Sequence, residues 1–380
     1  MTSRERFWRT MRFEPVDALP NWADWLGPWE TWSRQGLPVP PNAGRPGFDE
    51  KKWFVDHFGF DGMYSIFWGY PRVPVEVGVW PPFEKEVFEE NETYSVFRGG
   101  NGVIVKQFTH PGSSLHSTQF LEHPIKGRRD WERFRDEHLD PDAPGRYPKP
   151  ARWEALKRQW KDRDYVISID GGSFYGFLRD WIGVENLSYM TYDDPTLVRE
   201  MMDTLGDLFV RVLRRAVDEV PDIDFAMFWE DMCYKTGPLL SPAMFRKWMV
   251  PDYRKVTSFL EEHGVRLSWV DCDGNIEELI PLWLEGGVRG FYPLEVAAGM
   301  DAASLRRQYG REIVMWGNVD KRALAAGREA IDVELARLAP VAAEGGFIPL
   351  VDHGVPDDVS YQNYLYYLEQ RRKIKGPQPC

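Results

Sequence analysis

Between residues 266 and 351 the chain contains four short apolar runs: Arg266-Leu-Ser-Trp-Val270, Val288-Arg-Gly-Phe-Tyr292, Ile313-Val-Met-Trp316 and Phe347-Ile-Pro-Leu-Val351. Two earlier runs follow the same pattern, Tyr165-Val-Ile-Ser-Ile169 and Asp224-Phe-Ala-Met-Phe228. Amphipathic segments long enough to be helices separate the runs. This alternation is typical of repeated βα units, and it predicts an α/β fold with a parallel sheet.

Helix starts between these runs are well marked. Asp194-Pro195 and Ser241-Pro242 each place an N-cap residue before a proline, which is tolerated in the first helical turn. Asp301 has the same capping role in the prediction, for a helix that ends near Gly310. These signals place a helix between successive strands.

The N-terminal half supplies two further predicted strands, Ala18–Trp22 and Gly62–Phe67, which bring the count to a (β/α)8 TIM barrel. A helix over Ser3–Phe13 is expected as an N-terminal extension across the bottom of the barrel. An insertion at about 71–150 is too long for a simple loop. It carries a hairpin pattern, because Tyr94–Phe97 and Val103–Phe108 flank a glycine-rich turn. We therefore predict one barrel domain over residues 1–380, with an inserted subdomain.

Composition excludes several classes of function. The 380 residues include 47 Lys plus Arg against 59 Asp plus Glu, a net charge of −12, which disfavours nucleic acid or an anionic membrane as a partner. The three cysteines (Cys233, Cys272 and Cys380) form no disulfide framework, which favours a reducing compartment. With no apolar run of membrane-spanning or signal length, the expectation is a cytoplasmic protein with a small-molecule substrate.

Polar residues follow nearly every predicted strand, where a barrel of this kind carries its chemistry. Loops also favour Asp and Asn for turn formation, so any single position has a structural alternative. Repetition at successive strand ends favours a site. The candidates are Asp24, Glu230, Asp231, Tyr234, Asp271, Asp273, Glu295, Asn318, Lys321 and His353.

Asp271, Asp273 and His353 form the predicted metal site, because two residues at one strand end can converge with one from a later strand. Glu295 or Glu230 would complete the set. Carboxylates with one imidazole suit zinc, with manganese or iron as further choices. The alternative is that both aspartates cap a helix beginning near Asn275 and that His353 only hydrogen-bonds a neighbouring loop. Cys272 should point away from them as a core thiol.

Tryptophan is unusually common, with 17 residues, and four of them (Trp22, Trp25, Trp29 and Trp32) surround the first predicted strand and its loop. Most indoles in a barrel fill the core. The crowding in one loop favours an aromatic wall for a substrate pocket. We expect Trp22, Trp25 and Trp68, with Asp24, Tyr234 and Asn318, to contact the substrate.

Five short motifs carry a family resemblance. They are Arg4-Glu-Arg-Phe7, Phe13-Glu-Pro-Val-Asp-Ala-Leu-Pro20, Gly237-Pro-Leu-Leu-Ser-Pro242, Gly317-Asn-Val-Asp-Lys321 and Gly345-Gly-Phe-Ile-Pro349. In this order the chain resembles the uroporphyrinogen decarboxylase-like barrels, a superfamily that includes cobalamin-dependent methyltransferases. The decarboxylase branch has an arginine-rich motif after the first strand that holds substrate carboxylates. This chain has Asn21-Trp-Ala-Asp-Trp25 there, which implies a less anionic substrate.

The methyltransferase branch has a zinc site of one His and two Cys, and these positions fall on Asp271, Asp273 and His353 of this chain. The resemblance thus implies a harder metal site, suited to an oxygen-bearing substrate. It implies methyl transfer between a small methylated or methoxylated substrate and a corrinoid on a partner protein, and, because related barrels often dimerise, a possible homodimer. Among the strand-end residues, Glu230, Asp231, Glu295 and Lys321 are the candidate catalytic residues.

Two alternative functions remain. One is a lyase or decarboxylase acting on a small carboxylated compound, with Lys235 or Lys321 binding the carboxylate and the acidic cluster transferring protons. The other is a barrel that binds a small ligand without catalysis.

Overall fold

The computed structural model describes residues 1–25, 28–43, 45, 47–63, 71–108 and 117–379. In chain order, the strands are β1 (Glu86–Glu90), β2 (Tyr94–Arg98), β3 (Ile104–Phe108), β4 (Thr118–Glu122), β5 (Ser168–Gly172), β6 (Phe225–Trp229), β7 (Cys233–Tyr234), β8 (Gly237–Pro238), β9 (Ser268–Asp271), β10 (Gly290–Tyr292), β11 (Val314–Val319) and β12 (Phe347–Val351). Strands β5, β6, β9, β10, β11 and β12 form one parallel sheet in that order. All six strands predicted from the apolar runs are confirmed.

The helices in chain order are α1 (Ser3–Met11), α2 (Trp29–Arg34), α3 (Glu50–Phe58), α4 (Arg128–His138), α5 (Pro150–Trp160), α6 (Tyr175–Ile182), α7 (Val184–Asp193), α8 (Pro195–Glu219), α9 (Pro242–Trp248), α10 (Val250–Glu262), α11 (Ile280–Glu285), α12 (Ala302–Tyr309), α13 (Lys321–Ala326), α14 (Arg328–Glu344) and α15 (Tyr361–Arg371). The predicted caps are present. Asp194 accepts a hydrogen bond from Leu197 N, Ser241 from Met244 N and Asp301 from Ala303 N. None of the described helices is long and apolar enough to cross a membrane.

A single parallel bridge, Trp22 to Gly62, joins the first two predicted barrel strands, and a second bridge joins Arg72, which follows the predicted Gly62–Phe67 strand, to Ser168 of β5. The remainder of the predicted Gly62–Phe67 strand lies outside the described residues. The first segment also contacts the last strand, because the Asp24 carboxylate accepts a hydrogen bond from Val351 N at 2.8 Å. The architecture is the predicted (β/α)8 barrel.

Helix α1 covers the bottom of the barrel, as predicted. The Phe7 ring stacks on Trp22 with centroids 5.1 Å apart, and Arg4 pairs with the buried Asp224 at 2.7 Å. Aromatic and aliphatic side chains fill the lumen above it. This cluster consists of Phe7, Met11, Trp22, Val166, Phe225, Met227, Leu267, Trp269, Tyr292, Val314, Trp316, Ile348 and Leu350.

The predicted hairpin is confirmed as β2 and β3, with Gly102 in the left-handed region at φ 84°. It belongs to a larger antiparallel sheet in the order β1-β2-β3-β4. The sequence did not indicate the two edge strands, because β1 and β4 are exposed along their whole length and lack a clean alternation of apolar and polar residues. That residues 1–380 form a single domain with this insertion remains our proposal.

Candidate active site

Three carboxylates converge at the carboxyl ends of β6 and β9. Asp231 follows β6, Asp271 ends β9 and Asp273 lies two residues further on, and their oxygen atoms lie within 4.8 Å of one another. The two strands are neighbours, with Trp229 opposite Asp271. Asp231 Oδ1 also accepts a hydrogen bond from Asp273 N at 3.2 Å, which fixes one loop against the other. The structure therefore adds Asp231 to the predicted pair.

The loop after β9 is held close to the β7 segment by Gly274. A Cβ at this position would lie 2.4 Å from the Cys233 carbonyl oxygen, and Gly274 has a φ of +84°. Glycine is therefore required here on two grounds. The alternative role for Asp271 and Asp273 as caps of a helix near Asn275 is wrong, since α11 begins at Ile280 and has no side-chain cap.

His353 joins the carboxylates from the loop after β12. Its Nε2 lies 3.2 Å from Asp273 Oδ2, and its ring centroid is 4.9 Å from that of Trp25. The loops after the first, fifth and eighth barrel strands thus meet at one point. The structure brings together Asp271, Asp273 and His353, the set suggested by sequence, with Trp25 beside them.

The electrostatics of this cluster are unfavourable for the isolated protein. Burial, followed by the charge of Asp273, raises the pKa of Asp231 to about 6. Burial and the charges of Asp231 and Asp273 raise the pKa of Asp271 well above its ordinary value. For His353, burial lowers the pKa, but the hydrogen bond and charge of Asp273 outweigh it, so the net direction is upward. Bound protons or a cation would relieve this crowding of negative charge.

Glu295 and Lys321 lie at the edge of the cluster. Their side chains form an ion pair at 3.3 Å, and Glu295 Oε2 accepts a hydrogen bond from Gly274 N at 3.3 Å. Both charges act on the pKa of His353. The main chain around them is fixed by Asp352, which accepts hydrogen bonds from Val296 N and Lys321 N.

Tyr292 is a site residue that sequence reasoning missed. It lies opposite Asp271 in the strand register, is 5% exposed, and packs edge-on against Trp316 at 5.3 Å. Asp271 and Asp273 are among the charges that raise its pKa. Neither its hydroxyl nor the Asp271 carboxylate has a hydrogen-bond partner among the residues that the structure describes. The only signal in the sequence was its place as the last residue of an apolar run.

The predicted catalytic residue Glu230 is engaged by internal hydrogen bonds. Its carboxylate is fully buried and accepts hydrogen bonds from Phe174 N, Gly176 N, the Ser173 hydroxyl and the Tyr253 hydroxyl. These contacts anchor the start of α6. With both oxygens occupied, it does not complete the carboxylate cluster.

Asp24 and Asn318 are likewise saturated by internal partners. Asp24 accepts hydrogen bonds from Tyr364, Tyr367 and Arg371, in addition to Val351 N. The Asn318 side chain donates hydrogen bonds to the carbonyls of Leu294 and Met300 and accepts hydrogen bonds from Ala302 N and Arg337. It therefore holds the segment between β10 and α12 in place. We therefore assign both residues to the scaffold and do not retain them as substrate contacts.

The tryptophans of the first strand and its loop have different surroundings. Trp22 is 1% exposed and packs against Phe7 in the lumen, so it is removed from the predicted substrate wall, whereas Trp25 remains beside His353. Trp32 is buried and stacks on Tyr364 at 4.5 Å. The side chain of Trp29 and the whole of Trp68 lie outside the described residues.

Three further residues near the cluster differ in exposure. Tyr234 and Lys235 are exposed, and Tyr234 contributes its carbonyl to Asn275 N. Cys272 is a buried thiol, as the strand alternation predicted. Its sulfur accepts a hydrogen bond from Met232 N.

Comparison with known proteins places this site in a known fold. The profile of the family described as uroporphyrinogen decarboxylase (URO-D) matches residues 174–374, more than half of the chain. A uroporphyrinogen decarboxylase of Shewanella piezotolerans is 22% identical over 223 residues, covering 57% of this chain and 57% of that protein. Another from Geobacter sulfurreducens is 24% identical over 260 residues, covering 66% and 71%.

The chain thus spans little more than half the length of the first of these relatives. A methyltransferase from Methanosarcina mazei has a similar structure, with a TM-score of 0.63 at 16% identity over 98% of both chains, which establishes a shared fold. All parallel strands from β6 onward and the whole carboxylate cluster fall within the matched region. The chain belongs to the uroporphyrinogen decarboxylase family.

Proposed function

We propose that this protein is a metal-dependent methyltransferase of the uroporphyrinogen decarboxylase-like type. It moves a methyl group between a small methylated or methoxylated substrate and a corrinoid carried by a partner protein. The observation that carries the proposal is the convergence of Asp231, Asp271, Asp273 and His353 at the carboxyl end of the barrel.

The donor chemistry fits a divalent ion. Three carboxylates and one imidazole form a predominantly hard set, which suits manganese, iron or zinc and disfavours a thiophilic ion. Asp231 completes the set, since Glu230 is saturated and Glu295 is paired with Lys321. The Asp271 carboxylate and the Tyr292 hydroxyl have no hydrogen-bond partners among the described residues. Both groups are therefore available to bind an ion or a substrate at the carboxylate cluster.

When bound, the ion would act as a Lewis acid at the substrate oxygen that loses or gains the methyl group. The protein's own residues orient the substrate. Trp25 provides an apolar wall beside His353, and the Tyr292 hydroxyl can donate a hydrogen bond to a substrate oxygen. Because Lys321 is already paired with Glu295, the site favours a neutral or cationic substrate over a polyanion.

The first test is metal analysis of protein purified without chelator, followed by calorimetric titration with Mn²⁺ and Zn²⁺. We expect one ion per chain, and we expect Asp273→Asn to abolish its binding. Asp301→Asn is the matched control, since Asp301 caps α12 away from the cluster. A wild-type protein that retains no metal and is not stabilised by added Mn²⁺ or Zn²⁺ would contradict the proposal.

Methyl transfer is tested separately in both directions, with methylcobalamin and a panel of hydroxyl-bearing acceptors, and with cob(I)alamin and the corresponding methoxylated compounds. Formation of demethylated cobalamin in the first case, or of methylcobalamin in the second, dependent on the metal and on Asp273, is the expected result. A metal-loaded protein that transfers no methyl group in either direction would leave the metal site intact and reject the reaction.

Decarboxylation is the second candidate, and the raised pKa of Asp231 favours it. A carboxyl group that titrates at about 6 can deliver a proton to a carbanion near neutral pH, as a decarboxylase requires. Release of CO₂ from small carboxylated compounds, lost in Asp231→Asn and insensitive to chelator, would support this reaction over methyl transfer.

A further inference from the structure

Arg179 of α6 contacts the main chain that carries Asp231. Its Nη1 donates hydrogen bonds to the carbonyl oxygens of Glu230, at 3.4 Å, and of Asp231. Its guanidinium lies over the Trp229 ring, 4.8 Å from the centroid, and pairs with Asp180 at 3.2 Å. One side chain therefore spans three consecutive residues at the end of β6.

The segment that Arg179 contacts has an unusual backbone. Asp231 has a φ of +41°, in the left-handed region that a residue with a Cβ adopts only when its surroundings impose it. This conformation turns the carboxylate toward Asp271 and Asp273, where Oδ1 accepts the hydrogen bond from Asp273 N. Without the bonds to its carbonyl, the segment would be free to relax to an ordinary conformation.

Arg179 itself is held by groups that do not belong to the cluster. Asp180 accepts from its Nε and Nη2, and Trp229 covers its face. The helix it belongs to is in turn anchored by Glu230, the residue adjacent to Asp231. Glu230 thus holds the start of α6, and Arg179 of α6 in turn holds the main chain of Glu230 and Asp231.

We infer that Arg179 is the positioning residue of the carboxylate cluster, fixing the strained Asp231 main chain so that its carboxylate completes the cation site. The inference rests on the proposed metal site. It predicts that Arg179 controls metal affinity without being a ligand, acting through Asp231 alone.

The experiment measures the Mn²⁺ dissociation constant of the purified full-length chain by calorimetry. Outer contacts that orient a metal ligand typically change affinity by 10–100-fold, so we expect Arg179→Met to weaken Mn²⁺ binding by about that factor. Arg179→Lys keeps the charge but not the fork of donors, and should weaken binding by about 3–10-fold. The Arg179→Lys variant also provides the test if the Arg179→Met variant does not fold.

Two further variants separate positioning from general destabilisation. Arg163→Met is the matched control, because Arg163 also bonds main-chain carbonyls and pairs with an aspartate, Asp224, at the opposite end of the barrel. It should lower the melting temperature and leave Mn²⁺ affinity unchanged. In an Asp231→Asn background, Arg179→Met should change the affinity by less than about twofold, since its route to the metal is already lost.

Two results would overturn the inference but leave the metal site intact. One is that the effects of Arg179→Met and Asp231→Asn on the free energy of Mn²⁺ binding are fully additive, and the other is that Arg179→Met binds Mn²⁺ with wild-type affinity. Absence of Mn²⁺ binding by the unchanged protein would overturn both the metal site and the inference.

Discussion

Asp24 and Asp271 both lie at the ends of apolar barrel segments, but their surroundings are opposite. Asp24 accepts four kinds of hydrogen bond, from Val351 N, Tyr364, Tyr367 and Arg371. Asp271 has no such partner among the described residues and lies within 4.8 Å of two further carboxylates. A buried charge with a full set of partners belongs to the scaffold, whereas crowded carboxylates cost stability and are candidates for a ligand-binding site.

The same contrast separates the two ends of the barrel. At the bottom, buried Asp224 is neutralised by Arg4 and Arg163, and aromatic rings fill the lumen. At the top, Arg179 donates hydrogen bonds to the main-chain carbonyls of Glu230 and Asp231 and pairs with Asp180. Buried charges at the bottom of the barrel are therefore fully paired, whereas at the top three carboxylates lie close together and only His353 pairs directly with one of them among the described residues.

Removing the scaffold carboxylate should have the largest effect. Asp24→Asn leaves the buried guanidinium of Arg371 without a counter-charge, so we expect the free energy of unfolding to fall by about 3–5 kcal/mol. Urea unfolding measures it. Asp17→Asn is the control, since the Asp17–Arg6 pair is largely exposed and should cost at most about 1 kcal/mol. An equal loss in both variants would break the distinction between paired buried and paired surface carboxylates.

Asp231 should make stability depend on pH in an unusual direction. Its folded pKa of about 6 is above the unfolded value of about 3.9, so the folded state binds more protons between these values and its contribution to stability falls as pH rises. In the presence of chelator, Asp231→Asn should therefore gain stability relative to wild type by about 1–2 kcal/mol between pH 4.5 and pH 7.5.

Glu219 provides the comparison of opposite sign. The hydrogen bond from Lys157 is the largest of the effects that lower its pKa, to about 2. Its contribution is therefore present above about pH 4 and is lost as pH falls. Glu219→Gln should be less stable than wild type at pH 7, and the difference should persist down to about pH 4 and shrink from there toward pH 2. For Asp231, the prediction fails if the difference in free energy of unfolding between wild type and Asp231→Asn does not vary with pH, because the pKa of Asp231 would then not be raised in the folded protein.

Asp271→Asn should separate stability from binding. The substitution replaces a carboxyl group whose charged form is disfavoured by burial and by the charges of Asp231 and Asp273, so we expect the metal-free protein to gain about 1 kcal/mol in the free energy of unfolding while Mn²⁺ binding is lost. Thermal melts with and without Mn²⁺ measure both quantities. A destabilised variant would place Asp271 with Asp24, among the scaffold residues.

The sequence predicted the barrel well because its strands are local features. All six apolar runs from 165 to 351 became strands, and the proline-marked helix starts were correct, since both depend on neighbouring residues. The edge strands β1 and β4 were not predicted because every residue in them is exposed, so they lack the alternation of buried and exposed positions that marks a strand.

The site was predicted less completely, because its composition depends on pairing across the chain. Strand-end position identified Asp271, Asp273 and His353, but could not distinguish Asp231 from Glu230, its neighbour. The difference arises from distant donors, Tyr253 and the main chain of α6, that saturate Glu230. In the same way, only the packing of Phe7 and Arg371 shows that Trp22 and Asp24 belong to the scaffold.

The smallest effect concerns Trp25, the aromatic residue that the first loop contributes to the site. Its ring is 4.9 Å from that of His353 and it is only partly buried, so Trp25→Leu should lower the free energy of unfolding by about 0.5–1.5 kcal/mol. Because the indole is no metal ligand, Mn²⁺ affinity should stay within about threefold of wild type. Any substrate that transfers its methyl group should bind more weakly in this variant, as measured by KM. Unchanged KM with weakened metal binding would instead make Trp25 a support for His353, which would place it with the scaffold.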